Sequence, residues 1–326
     1  MLIVTNVSTF PPRWTAADGT PGRTEIARNA AEFLRFREVE DAVFLVNCDS
    51  RIVLDLALRR LIPFRSSPPL VALDLVFLHR PQSIAGKLGV LAKRLLLRNV
   101  DYFLHYFKDV EGLEAVYGIP RDRSGFVGFK ANLFGARAPA PSPQGDYALC
   151  FGRSMRDFDT FFDAVELSEH PGAIVDPQLE SLREHGSSFS RSLEELPRNV
   201  RVLPDDGTEA SQIAALRGAK IVVVPMRKGR LIAAGISTIL NAMALGKCVI
   251  ASAGPGVTDI FDGQLLSVPP GDSVALANAL KKAWSDDALR LGTARAGWEY
   301  ALWCGSEQDF NRRVIDAVVK WRATAA

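Results

Sequence analysis

The stretch that most constrains the fold runs from Ala219 to Pro270, AKIVVVPMRKGRLIAAGISTILNAMALGKCVIASAGPGVTDIFDGQLLSVPP. Ile221 to Val224 is a continuous β-branched run, which suits a parallel strand covered on both faces. It stops at Pro225 and gives way to a basic loop with Arg227, Lys228 and Arg230. Gly235 then leads into Ser237, Thr238 and an apolar helix that ends near Gly246, followed by strand, glycine turn, short helix and strand. That rhythm belongs to a doubly wound α/β sheet with a ligand site at its strand ends. Loop charge and free helix N-terminal N–H groups face the same space, a place suited to an anion and most simply to a phosphate.

At 326 residues the chain has room for two domains. Residues 136–145, ARAPAPSPQG, are rich in Ala and Pro and poor in large apolar side chains, so they read as a linker. The predicted domains are 1–135 and 146–304, with a return helix over 305–326 that carries Val314, Val318 and Trp321 back toward the first domain. Net charge is +2, but residues up to Ala140 hold 19 Lys and Arg against 14 Asp and Glu. A mildly basic first half suits an anionic membrane surface or an acidic substrate. No dense basic stripe with interleaved aromatics is present, so no nucleic-acid partner is expected.

Cys48, Cys150, Cys248 and Cys304 form no CxxC pair; three adjoin apolar strand-like runs and read as small buried residues of a reducing compartment. No basic region followed by a long apolar run opens the chain, and other apolar runs are too short or too charged to span a bilayer. A soluble cytoplasmic protein is expected, with peripheral membrane contact left open.

Taken in order, Met1 to Val7 reads as a buried strand and Pro11 to Arg23, with its Pro and Gly residues, as a loop. A helix is predicted from Thr24, since Ile26, Ala30, Phe33 and Leu34 share a face. Strands follow at Ala42 to Val46 and Leu70 to Leu73. The latter closes on Asp74, a strand-end carboxylate that is either an active-site group or a turn residue; His79, close behind, is the second catalytic candidate. Lys87 to Arg98 is a basic amphipathic helix. Either Lys87, Lys93, Arg94 and Arg98 meet anionic lipid, or this is a solvated outer helix with Leu88, Leu91, Leu95 and Leu96 on its apolar face. His105 reads as packed in a strand.

In the second half, Tyr147 to Phe151 is a strand that runs into Gly152, Arg153 and Arg156 at the start of a helix with Phe158, Phe161, Phe162 and Val165. Two arginines there are a second anion-binding candidate, able with Lys228 to clamp a diphosphate through paired donors. Asn199 to Leu203 is a strand ending in Pro204, Asp205, Asp206 and Gly207, a turn signature before it is a metal site; no metal is expected.

Three passages resemble the two-domain GT-B glycosyltransferases, specifically the retaining family 4 enzymes. CFGRSMRD, Cys150 to Asp157, looks like the segment that clamps the donor diphosphate. NAMALGKCVI, Asn241 to Ile250, is similar to the family's Glu-Ala-Met-Ala-x-Gly-x-Pro-Val-Ile. Gly254 to Pro270 looks like the glycine turn and Val-Pro-Pro-Gly-Asp ending that follow it. The resemblance implies a nucleotide-sugar donor (UDP- or GDP-sugar), no cofactor, and transfer without metal to a glycan, lipid-linked glycan or small-molecule acceptor. It places the diphosphate on Arg153, Arg156, Arg227, Lys228, Gly235, Ser237 and Thr238. The ribose falls to Asn241, and the base to Val202, Leu203 and Pro204. Two glutamates of the family motif fall on Ala233 and Asn241, so both carboxylates are missing. That departure keeps a non-catalytic nucleotide-sugar binding or scaffold protein as the alternative.

Overall fold

The computed structural model describes residues 1–61, 67–77 and 83–325, which divide into two compact units. One is Met1–Gly128 with Glu307–Ala326, the other Phe129–Ser306.

The first unit is a seven-stranded sheet in the order β2-β3-β1-β4-β5-β6-β7. Its strands are β1 Leu2–Thr5, β2 Arg13–Thr15, β3 Pro21–Ile26, β4 Ala42–Asn47, β5 Leu70–Leu73, β6 Tyr102–His105 and β7 Ser124–Phe126. All neighbours are parallel except β2 and β3. The helices are α1 Ala30–Phe33, α2 Ser50–Arg59, α3 Ile84–Leu97 and α4 Glu111–Tyr117, joined by the return helix α11 Glu307–Ala325. The four residues of β1 and of β5 are fully buried, as expected of parallel strands covered on both faces. On α11, Trp321 stacks on Tyr102 at 5.1 Å and Asn311 donates to Thr9 O at 2.8 Å. His105 is buried, which pulls its pKa down to about 4, and sits between Phe103 and Phe107.

The loop expected over Pro11 to Arg23 and the helix expected from Thr24 are instead a hairpin and a strand. Gly19, at φ +88°, makes the turn, and Gly22 lets the Trp14 ring lie where a Cβ would stand 2.2 Å from it. Trp14 Nε1 then donates to Thr24 Oγ1 at 3.1 Å. The residues read as breakers are the turn and the close approach that a hairpin needs, and only α1 remains of the helix.

The second unit is an all-parallel six-stranded sheet, β10-β9-β8-β11-β12-β13. It is built from β8 Tyr147–Cys150, β9 Gly172–Val175, β10 Val200–Leu203, β11 Ala219–Val224, β12 Cys248–Ser252 and β13 Leu266–Val268. In chain order this is the 3-2-1-4-5-6 arrangement, whose direction of winding reverses between β8 and β11. The helices are α5 Phe158–Ser168, α6 Leu179–Glu184, α7 Glu209–Gly218, α8 Ile236–Ala244, α9 Ser273–Ser285 and α10 Asp287–Cys304. Ala148, Cys150, Ile221, Val223, Cys248 and Ile250 pack with Phe158, Phe161 and Phe162 of α5 and Leu276 and Leu280 of α9.

Residues 136–145 lie inside this unit. Ser142 N–H donates to Gly246 O, and the buried Lys247 ammonium donates to Ser142 O at 2.8 Å, Gln144 O at 3.0 Å and Arg217 O at 2.7 Å. The three prolines of the run, Pro139, Pro141 and Pro143, lack N–H groups, but the run keeps its carbonyls, and two of them, Ser142 O and Gln144 O, help hold a buried cation.

Candidate functional site

Where the second sheet reverses, the chain leaving β8 and the chain leaving β11 are knitted together. Asp157 N–H donates to Pro225 O and Arg227 N–H to Met155 O, both at 3.0 Å. The turn between them runs through Gly152 at φ +102° and Met155 at φ +55°. Gly152 is required twice over, because a Cβ there would stand 2.6 Å from Arg156 Nη2.

Arg156 is fully buried and does not line the cavity. Nε donates to Phe151 O at 2.9 Å, Nη1 to Ser154 O at 3.0 Å, and Nη2 to Thr238 Oγ1 at 2.8 Å. Burial lowers its pKa to about 10, which still leaves it cationic at neutral pH. Among the described residues no carboxylate forms an ion pair with it. A guanidinium read from sequence as a direct clamp is instead a fixed positive charge that ties the β8 turn to the start of α8.

The α8 start is the other half of the site. Gly235, its N-cap, has φ +91°, and a Cβ there would press on Arg156 Nη1 at 3.0 Å. Ile239 N–H is the first to reach a helical carbonyl, Gly235 O at 3.0 Å. The N–H groups of Ile236, Ser237 and Thr238 therefore have no partner within the helix. Ser237 Oγ accepts from Asn132 Nδ2 at 2.7 Å, so its own O–H is left to donate. Asn241 Oδ1 accepts the Leu133 N–H at 3.0 Å, which engages one of the two lone pairs of that oxygen and leaves the other, with the amide donors, for a ligand.

These groups open on a cavity of about 660 Å³. Arg153, Ser237, Thr238 and Asn241 line it, together with Asp176 and Gln178 after β9, and with Asp205, Gly207, Glu209 and Gln212 after β10. Arg153 is exposed on this rim. The other expected positions lie off it. Arg227 is exposed and donates to Gly186 O at 3.0 Å. The Lys228 stem crosses Gly271, where a Cβ would stand 2.7 Å from Cε. Val202, Leu203 and Pro204 are outside the lining, which begins one residue later. Ala233 is pressed against the glycine turn, 2.2 Å from where a Cβ on Gly256 would be.

Asp176 and Glu209 were missed as lining residues and Asp205 was read only as a turn or metal candidate, although Asp176 follows the apolar run Ala173 to Val175 just as Asp74 follows Leu70 to Leu73. Asp205 accepts from Gly207 N–H at 2.9 Å and Ser211 Oγ at 2.7 Å, and Asp206 from Thr208 N–H at 2.9 Å. Those bonds form the turn and helix start read from Pro-Asp-Asp-Gly. Among the described residues no group of three His, Cys, Asp or Glu is placed to hold a metal ion.

The strand ends of the first unit carry a different cluster. Cys48 after β4 and Asp74 after β5 both have positive φ, +56° and +48°, an uncommon conformation for residues with a side chain. Cys48 Sγ lies 3.8 Å from Asp74 Oδ2. Tyr106 Oη donates to Asn47 Oδ1 at 3.1 Å, and Asn6 exchanges two bonds with the Asn47 backbone. Burial raises the Asp74 pKa to about 7 and that of Cys48 to about 12. His79 lies outside the described residues.

A family model for Glycosyl transferases group 1 matches residues 176–286, from the end of β9 through α9. No curated protein sequence matches the chain. Among solved structures, sucrose-phosphate synthase from Thermosynechococcus elongatus is similar with a TM-score of 0.66 and 17% identity, over 99% of this chain and 89% of that one. HepE from Anabaena, crystallised with UDP and glucose, gives 0.64 and 13%, over 98% and 100%. A UDP-forming α,α-trehalose-phosphate synthase from Burkholderia xenovorans, in complex with glucose-6-phosphate, gives 0.56 and 15%, over 88% and 74%. The architecture shared with them, two Rossmann-like units, is the GT-B fold.

Proposed function

On this fold, we propose that the protein is a glycosyltransferase that takes its sugar from a nucleoside diphosphate sugar held in the second-unit cavity. The observation that carries the reading is the buried Arg156 cation, without a carboxylate partner among the described residues, beneath the α8 N–H groups that have no partner within the helix. Such a floor is complementary to a diphosphate.

As the glycosidic bond to the leaving diphosphate breaks, negative charge grows on its phosphate oxygens. The α8 amides, the Ser237 hydroxyl and the Arg153 guanidinium would stabilise that charge, and Arg156 supplies a field that needs no rearrangement. Ribose hydroxyls need hydrogen-bond acceptors. Asn241 is a neutral amide whose oxygen already holds the Leu133 N–H, so in this reading the stronger acceptor is the Asp176 carboxylate just after β9. The base then lies toward Asp205 and Gln212. Retention of configuration and metal independence belong to the same proposal. So does an acceptor held by the first unit, with Asp74 receiving the acceptor's hydroxyl proton.

Ala233 favours a second reading. A small side chain locked against Gly256 cannot contact a donor sugar as a carboxylate would, and a protein that binds nucleotide sugars without transferring them is consistent with that. Calorimetric titration with UDP and GDP, followed by incubation with a panel of nucleotide sugars, separates the cases. Transfer or donor hydrolysis supports the enzyme. Binding without either supports the second reading. No binding of any nucleoside diphosphate rejects both.

A further inference from the structure

Helix α3 turns its apolar face the wrong way for a helix that merely covers its domain. Along Ile84–Leu97 only Leu97 is buried. Ile84, Leu88, Leu91 and Leu95 are exposed by 80, 63, 55 and 52%. They recur every three or four residues and so form one line along the helix. A soluble domain seldom leaves such a run in water without a use for it.

The charge beside that line has one sign. Lys87, Arg94 and Arg98 are exposed, and helical spacing gathers them along one flank. Lys93 is apart from them, with its ammonium 5.3 Å from the centroid of the Phe77 ring. The helix contains no acidic residue. A second copy docking through the same line would bring like charges together, whereas lipid phosphates would pair with them.

We propose that α3 is an interfacial anchor lying in the plane of an anionic bilayer, with its apolar line among the acyl chains and Lys87, Arg94 and Arg98 against lipid phosphates. The anchor does not depend on the donor reading. If both hold, the acceptor is presented at a membrane surface.

The test is co-sedimentation of the full chain with phosphatidylcholine vesicles, with and without about 30% phosphatidylserine. Binding to the anionic vesicles, weaker in high salt, is expected. Leu88→Ser with Leu91→Ser should weaken it by about tenfold or more. Lys87→Gln and Arg98→Gln should each cost about fivefold. All variants should keep the wild-type circular dichroism spectrum and nucleotide affinity, so failure here is separable from failure of the donor site. Absence of wild-type binding to the anionic vesicles, or equal binding by the double serine variant, overturns the proposal. So does a self-associating wild type that ignores vesicles while the double serine variant is monomeric.

Discussion

The two sheets carry at their strand ends the same physical event with opposite outcomes. In the second unit Arg156 is stripped of water, and in the first unit Asp74 is largely so. Desolvation disfavours the charged form in both. Arginine starts far above neutrality, so a fall to about 10 leaves it charged at neutral pH. Aspartate starts at 3.8, so a rise to about 7 brings it to the edge of neutrality. One unit thus holds a fixed cation and the other a carboxyl that titrates. In the proposed function those suit different tasks, since holding a diphosphate needs constant charge and accepting a proton needs a group that can change state.

The most direct way to break the comparison is to remove the fixed cation. Arg156→Ala would strand Phe151 O, Ser154 O and Thr238 Oγ1 and leave a cavity at the β8–α8 junction. The expected loss is about 3–5 kcal/mol of stability, with nucleotide binding abolished. Arg156→Lys should not restore it, because one ammonium cannot reproduce a planar fork with three directions. Urea unfolding and calorimetry report both quantities. Unchanged stability in the alanine variant would show that the guanidinium does not hold the turn.

Arg153, three residues earlier, should behave in the opposite way. It is exposed at the cavity rim, so Arg153→Ala should alter stability by less than about 0.5 kcal/mol. Transfer or donor hydrolysis should fall by about a hundredfold or more. Initial rates beside a thermal melt check this. A joint loss of stability and rate would mean that the two arginines share one role.

That difference was not legible in the sequence, where Arg153 and Arg156 look like equal members of one basic segment. Left-handed backbone at Gly152 and Met155 sends one to solvent and the other inward. Periodicity carries no information about such a turn. The alternation from Ala219 to Pro270 did carry the six-stranded unit, because strands buried on both faces must be continuous apolar runs. It failed at β2 and β3, where Gly and Pro serve a hairpin rather than a loop. On α3 the apolar spacing was visible but not its direction, since a helical stripe is the same whether it meets protein or solvent.

The titrating carboxyl offers a smaller effect with a definite sign. The Asp74 pKa is raised on folding, so between about 4 and about 7 the native state keeps a proton that the unfolded state has lost. Wild-type stability should therefore decline as pH rises through that window. Asp74→Asn cannot ionise, so it should match the wild type near pH 4 and exceed it at pH 8 by no more than about 2 kcal/mol, allowing for partial exposure. Denaturant midpoints across pH give the difference curve. A variant that is less stable at pH 8 would mean that the ionised carboxylate is held by its neighbours, and the contrast with Arg156 would dissolve.

The finest test lies within the cavity. Asn241 has committed one lone pair of its oxygen to the Leu133 N–H, and as a neutral amide it is a weaker acceptor for a ribose hydroxyl than a carboxylate. Asp176 stands at the end of β9, the strand-end position from which Rossmann folds reach a ribose. Asp176→Asn would exchange a carboxylate for a weaker acceptor and should raise the nucleoside diphosphate Kd by about tenfold, near 1.4 kcal/mol. The same substitution should scarcely affect binding of a nucleotide that lacks both ribose hydroxyls, whose affinity is already reduced in the wild type. Calorimetry with paired ribo- and dideoxynucleotides measures that interaction directly. An equal loss for both ligands would move Asp176 away from the sugar and toward the base.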